Sequence, residues 1–62
     1  MDNKQEKLFD HYYDLMSIEM RKEILGFEDL KMKNVKCSIK VNFKNGSWIR
    51  VYKKMNEEIE WY

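Results

Sequence analysis

A chain of 62 residues with 44% apolar side chains and nine aromatic residues has the composition of one folded domain with a single small core. Its one cysteine, Cys37, excludes an internal disulfide, and one Cys with one His (His11) falls short of the four ligands of a structural zinc site. The net charge of +1 conceals a segregation: residues 1–30 carry −4, residues 31–54 carry +8 with no acid among them, and residues 55–62 carry −3. Charge asymmetry of this kind points to partners.

A domain this short buries only about 60% of its unfolded surface, so a well-packed core, self-association or both must stabilise it. No stretch approaches the roughly 20 apolar residues of a membrane span, and no signal peptide is visible. The opening segment MDNKQEK is polar throughout. A cytoplasmic location and no membrane contact are therefore expected, and the free Cys37 suits a reducing compartment. Ala, Thr and Pro are absent, while Lys, Glu, Ile, Asn and Met are common. That is the coding bias of an AT-rich genome, such as a low-GC bacterium, its phage or its plasmid.

Residues 3–16 read as an amphipathic helix. Leu8, Phe9, Tyr12, Leu15 and Met16 recur at helical spacing on one face. Asp2 or Asn3 is placed to cap its start. Met20, Ile24 and Phe27 continue the stripe, with Ile18 and Leu25 on the other side. The spacing predicts one helix over about 3–25, with a bend, stopped by Gly26 as a C-terminal cap. The alternative is that Ser17 caps a second, short helix at a new angle. Residues 27–34 read as a loop or a short helical turn.

The period then changes. Val35, Cys37, Ile39, Val41 and Phe43 alternate with polar residues, which predicts a half-buried strand over 35–43. Further strands are expected over 47–54 and 58–62, joined by a turn at Met55-Asn56-Glu57. The expected fold class is α+β: an N-terminal amphipathic helix packed on one face of a three-stranded antiparallel β-meander, one domain over 1–62.

Asn45-Gly46 marks a hairpin turn, and its length decides where Trp48 goes. A two-residue turn pairs Phe43 with Trp48 and puts Arg50 under the helix, a buried charge without a partner. A three-residue loop, Lys44-Asn45-Gly46 with Gly46 left-handed, pairs Phe43 with Ser47 instead. Val41 then opposes Ile49 and Ile39 opposes Val51. This register is favoured, because it leaves an uncharged core of Cys37, Ile39, Val41, Phe43, Ile49, Val51, Ile59 and Trp61. The outer face then carries Lys36, Ser38, Lys40 and Asn42, then Trp48, Arg50 and Tyr52, then Glu58, Glu60 and Tyr62, with Arg50 able to pair across to Glu60.

Exposed aromatics around an arginine are the residue types that dominate interface energetics. The residues expected to bind a partner are Lys40, Trp48, Arg50, Tyr52, Glu60 and Tyr62. High β-propensity alone also explains Trp and Tyr on a sheet. His11 reads as a surface histidine, with no Ser, Cys or carboxylate placed to complete a site. Cys37 reads as a core thiol whose burial denies it the basic neighbour a nucleophile needs. The methionines Met16 and Met20 read as core filler.

No catalytic constellation and no cofactor motif is present. The expected function is a small non-enzymatic protein-binding module acting through the outer sheet face. By analogy with small charge-segregated binders, it would be a phage- or mobile-element-encoded modulator or inhibitor of a host protein. Its protein partner is not specified by the sequence. The alternatives are a single-stranded nucleic-acid binder using the basic, aromatic hairpin, and a self-associating homodimer.

Overall fold

The computed structural model describes residues 3–62. Asp2, one of the two capping candidates, lies outside them. Asn3 caps helix α1, Lys4–Leu15, by accepting the Glu6 backbone N–H at 3.0 Å. Leu8 and Tyr12 are fully buried on its inner face, and Phe9 and Met16 pack beside them. Leu15, placed on that stripe by spacing, is instead about half exposed at the helix end.

One long helix to residue 25 is not what forms. α1 stops at Leu15, and Ser17 caps a second helix, α2, Ile18–Glu23, by accepting from the Met20 N–H at 3.2 Å. Arg21 of α2 locks the corner. Its guanidinium donates to the carbonyls of Tyr13 and Asp14 at 2.9 and 3.2 Å and lies 5.0 Å from the centre of the Tyr13 ring. The Tyr13 carbonyl also accepts the Met16 N–H at 3.1 Å, both carbonyls lie in the last turn of α1, and a cation suits that end of a helix.

α2 runs straight into a strand that the sequence reading assigned to helix and loop: β1, Ile24–Asp29. Gly26 is therefore a strand residue and not a helix cap. The sheet has four strands, not three. It is completed by β2, Val35–Phe43, β3, Trp48–Lys54, and β4, Ile59–Trp61, all antiparallel in the order β1-β2-β3-β4. A bulge explains why β1 resembled helix. Ile24 opposes Phe43 while Gly26 opposes Asn42, so Leu25 is an extra residue. The insertion puts Ile24 and Phe27, three apart, on the same sheet face, a spacing that otherwise belongs to a helix. Leu25 is pushed outward and is mostly exposed.

α1 lies across the inner sheet face over β2 and β3. The core is Leu8, Tyr12, Ile39, Val41, Phe43 and Val51, flanked by Phe9, Met16, Ile24, Phe27, Cys37, Ile49 and Ile59. Trp61 is on this face as expected, edge-on to Tyr12 at 5.2 Å, yet 40% exposed because β4 is the sheet edge. Burial raises the Tyr12 hydroxyl above its ordinary range.

The favoured hairpin register is the one that forms. Val41 opposes Ile49 and Ile39 opposes Val51. Phe43 N–H donates to the Ser47 carbonyl at 2.9 Å, Gly46 N–H donates to the Phe43 carbonyl at 3.0 Å, and Gly46 sits at φ +90°. Asn45 Oδ1 accepts the Ser47 N–H at 3.0 Å. The next turn repeats this design. Lys54 N–H donates to Glu58, Glu57 N–H to Lys54, and Asn56 Oδ1 accepts the Glu58 N–H. The left-handed seat that holds Gly46 in the first loop holds Glu57, at φ +76°, in the second.

Among the described residues, no helix is long and apolar enough to cross a membrane.

A candidate recognition surface on the outer sheet face

The register just described turns Trp48, Arg50 and Tyr52 away from the helix. All six residues expected to bind a partner lie on this outer face, and they form one connected row. Lys40 Nζ sits 4.7 Å from the centre of the Trp48 ring. The Arg50 guanidinium is 4.7 Å from the same ring and 4.9 Å from the ring of Tyr62. Tyr62 meets Tyr52 edge-on, with ring centres 6.0 Å apart. The Tyr52 hydroxyl donates to Glu60 Oε1 at 2.9 Å.

Cross-strand placement produces this row. Lys40 opposes Arg50, Asn42 opposes Trp48, and Tyr52 opposes Glu60. Side chains directly or diagonally across an antiparallel pair are within reach of one another. The expected Arg50–Glu60 pair is corrected by the same register. Arg50 exchanges both backbone hydrogen bonds with Tyr62, at 2.9 and 3.0 Å, so Tyr62 and not Glu60 stands opposite. Glu60 instead receives the Tyr52 hydroxyl and lies 3.8 Å from Lys54. The Glu60 carboxylate, first through this hydrogen bond, holds the Tyr52 hydroxyl above its ordinary range.

The arrangement is both exposed and ordered. Trp48 is 42% exposed at one end of the row and Tyr62 is 63% exposed at the other, while Arg50 and Tyr52 are half-buried between them. Each exposed cation–π contact contributes about 0.5–1 kcal/mol, enough to hold side chains in place without sealing them from solvent. An open groove of about 410 Å³, lined by Tyr52, Ile59, Glu60, Trp61 and Tyr62, adjoins the row at the β4 edge.

Two neighbours depart from expectation, and a third, Asn42, keeps its expected face but gains an unforeseen partner. Ser38 belongs to the outer face but is buried, because Leu30 folds over it and accepts its hydroxyl through the backbone carbonyl. Lys36 does not stand on the flat face. It is the extra residue of a second bulge, between Val35 and Cys37, and its ammonium meets Glu57. Asn42 donates to Glu28 of β1 at 2.9 Å, so the unforeseen strand adds a carboxylate to the surface.

Folding also rewrites the charge map. Glu57 lies between Lys36 and Lys53, 3.7 Å from the latter, and Lys54 lies 3.8 Å from both Glu58 and Glu60. The acids that follow the basic segment in sequence fold back onto it. Surface pairs of this kind contribute little stability, but they neutralise the basic field locally.

Among the described residues, no group of three or more His, Cys, Asp or Glu side chains is placed to hold a metal ion. His11 is exposed on α1. Cys37 points inward as expected but is only half-buried. It lines a small cavity with Lys4, Lys7, Lys36 and Lys53, so the absence of basic neighbours inferred from sequence is not what the fold provides. No protein-family model matches the chain, and neither a curated protein nor a solved structure is similar to it.

Proposed function

We propose that this protein is a small non-enzymatic binding module that docks a protein partner through the outer sheet face, as a modulator or inhibitor of a host protein. The observation that carries this reading is the row Lys40–Trp48–Arg50–Tyr62–Tyr52–Glu60, exposed and internally stacked on the face opposite the helix. Trp, Tyr and Arg are the residues that most often anchor interfaces. Their mutual contacts fix the rotamers beforehand, so a partner loses less entropy in docking against them. Acids and bases alternate along the face, which favours a protein surface of mixed charge over a polyanion.

Capture from the native host with immobilised wild-type protein, beside Trp48→Ala and Arg50→Ala, tests this. A partner retained by wild type and lost by both folded variants is the expected result. Equal retention by all three removes the reading.

A second reading has one observation in its favour. Two cations flank an exposed indole, with two tyrosines following, a layout on which single-stranded nucleic acid could stack. Against it stand Glu28 and Glu60 on the same face and the neutralised lysines 36, 53 and 54. Titration with labelled oligonucleotides at two salt concentrations decides: nucleic-acid binding gives an affinity that falls steeply with salt. Light scattering on wild type and Trp48→Ala separates self-association from both.

A further inference from the structure

The sheet ends on two strands that each have a single neighbour, β1 and β4. Alternate residues of β1 bond to β2. Leu30 N–H donates to the Ser38 carbonyl, and the register continues that hydrogen-bonded set through Glu28–Lys40 and Gly26–Asn42. The backbone N–H and C=O groups of Phe27 and Asp29 therefore point away from the sheet, where a further strand would lie. By the same alternation β4 turns out Ile59 and Trp61, but that strand is only three residues long.

Gly26 distinguishes the β1 edge. A glycine inside a strand weakens it, and this one is not required by the chain's own fold. Its φ is not positive, and a Cβ there would meet open space. Glycine in such a place marks close approach by a ligand or another backbone. Gly26 lines an open groove of about 400 Å³ whose walls include Leu25, Phe27, Asn42 and Phe43.

Charge distinguishes it too. Among the described residues, no ion pair reaches Glu28 or Asp29. Lys40 opposes Glu28 in the register, but its ammonium lies over the Trp48 ring, and Glu28 accepts from the neutral Asn42 amide. The acids of β4, in contrast, both lie 3.8 Å from Lys54.

We infer that the β1 edge takes an extended, basic segment of a partner polypeptide as a fifth strand. The outward groups of Phe27 and Asp29 supply the ladder, as in other strand additions. Side chains opposite one another across a strand pair share a face. The incoming segment therefore sets an apolar side chain into the groove at Gly26 and basic side chains beside Glu28 and Asp29. A second copy of this chain would bring its own Glu28 and Asp29 to the same edge, so charge selects a different, basic chain. The edge is separate from the outer-face row and does not depend on it.

Titration of the full chain with synthetic hexapeptides tests the inference. One set carries two lysines beside a valine and a tryptophan, made in both chain directions. The control set carries glutamate in place of lysine. Amide hydrogen exchange and NMR shifts are followed at Phe27, Glu28 and Asp29. In the free protein the Phe27 and Asp29 amides should exchange quickly beside a protected Glu28. A lysine peptide should shift them saturably and protect them, with affinity about tenfold above its glutamate control, the scale of two exposed ion pairs. Gly26→Val should abolish that saturation with unchanged far-UV circular dichroism. Where Gly26→Val does not fold, Glu28→Lys with Asp29→Lys decides, and should invert the preference toward the glutamate peptides. No saturable shift at Phe27 and Asp29, equal affinity for both peptide sets, or undiminished binding by folded Gly26→Val overturns the inference. Protection of these two amides that rises with the concentration of the protein alone assigns the edge to a second copy and overturns it as well.

Discussion

The two faces of this sheet are built from the same strands, alternating residue by residue, yet they solve opposite problems. The inner face buries Ile39, Val41 and Val51 completely beneath Leu8 and Tyr12 of the helix. The outer face leaves Trp48 and Tyr62 in solvent and orders them with cations and ring contacts. One face is held by area removed from water, the other by contacts of about 0.5–1 kcal/mol that solvent still reaches. Stability and recognition are therefore separable in this molecule, although neighbouring residues of one strand carry each.

That separation breaks down if an inner substitution is mild or an outer one is severe. Ile39→Ala removes a fully buried side chain and should cost about 2–5 kcal/mol, a large fraction of the stability of so small a domain. Urea denaturation measures it, and a loss below about 1 kcal/mol would mean that the inner face is not the core. Gly46→Ala comes next. A Cβ at that position meets open space, so the cost is the left-handed backbone alone, about 1–2 kcal/mol. It acts on both faces, because the Gly46 loop sets the register that turns Ile49 inward and Trp48 outward. Trp48→Ala removes two cation–π contacts and should cost no more than about 1–2 kcal/mol in the same denaturation while abolishing partner capture.

Titration sharpens the contrast by sign. Tyr12 beneath the helix has a hydroxyl held above 10 by burial, so the unfolded chain ionises first. Its contribution is complete below pH 10 and is lost as pH rises through the folded value. Glu57 runs the other way. Lys36, by hydrogen bond and charge, holds its carboxyl below 4.5, so its contribution is present above 4.5 and lost as pH falls through the folded value. Stability measured against pH in wild type and Glu57→Gln should differ in slope only on the acid side. An equal acid slope in both would remove Glu57 as a contributor.

The sequence revealed the parts of the fold governed by local rules. Strict alternation from Val35 to Phe43 fixed β2. The cost of burying Arg50, together with Gly46, fixed the hairpin register and so placed Lys40, Trp48, Arg50 and Tyr52 on one side, and the turn at Met55-Asn56-Glu57 added Glu60 and Tyr62. Ser17 was visible as a helix cap, but the continuing stripe through Met20, Ile24 and Phe27 outweighed it. That stripe is genuine, and only the bulge at Leu25 converts its helical spacing into a strand face. The Arg50–Glu60 pairing failed although the turn at Met55-Asn56-Glu57 was placed correctly: with Lys54 opposite Glu58, that turn sets Tyr52 opposite Glu60 and Arg50 opposite Tyr62. The lysine cavity was illegible for another reason. Lys4 and Lys7 lie about thirty and fifty residues from Lys36 and Lys53, and only the packing of α1 across the sheet joins them.

Oxidative footprinting of the protein alone and with its captured partner tests the central claim most directly. Trp48, Tyr52 and Tyr62 should react in the free protein and become protected together in the complex, while Tyr13 on the helix side stays unchanged. Protection confined to Tyr13 and Met20, with Trp48 as reactive in the complex as before, would contradict it.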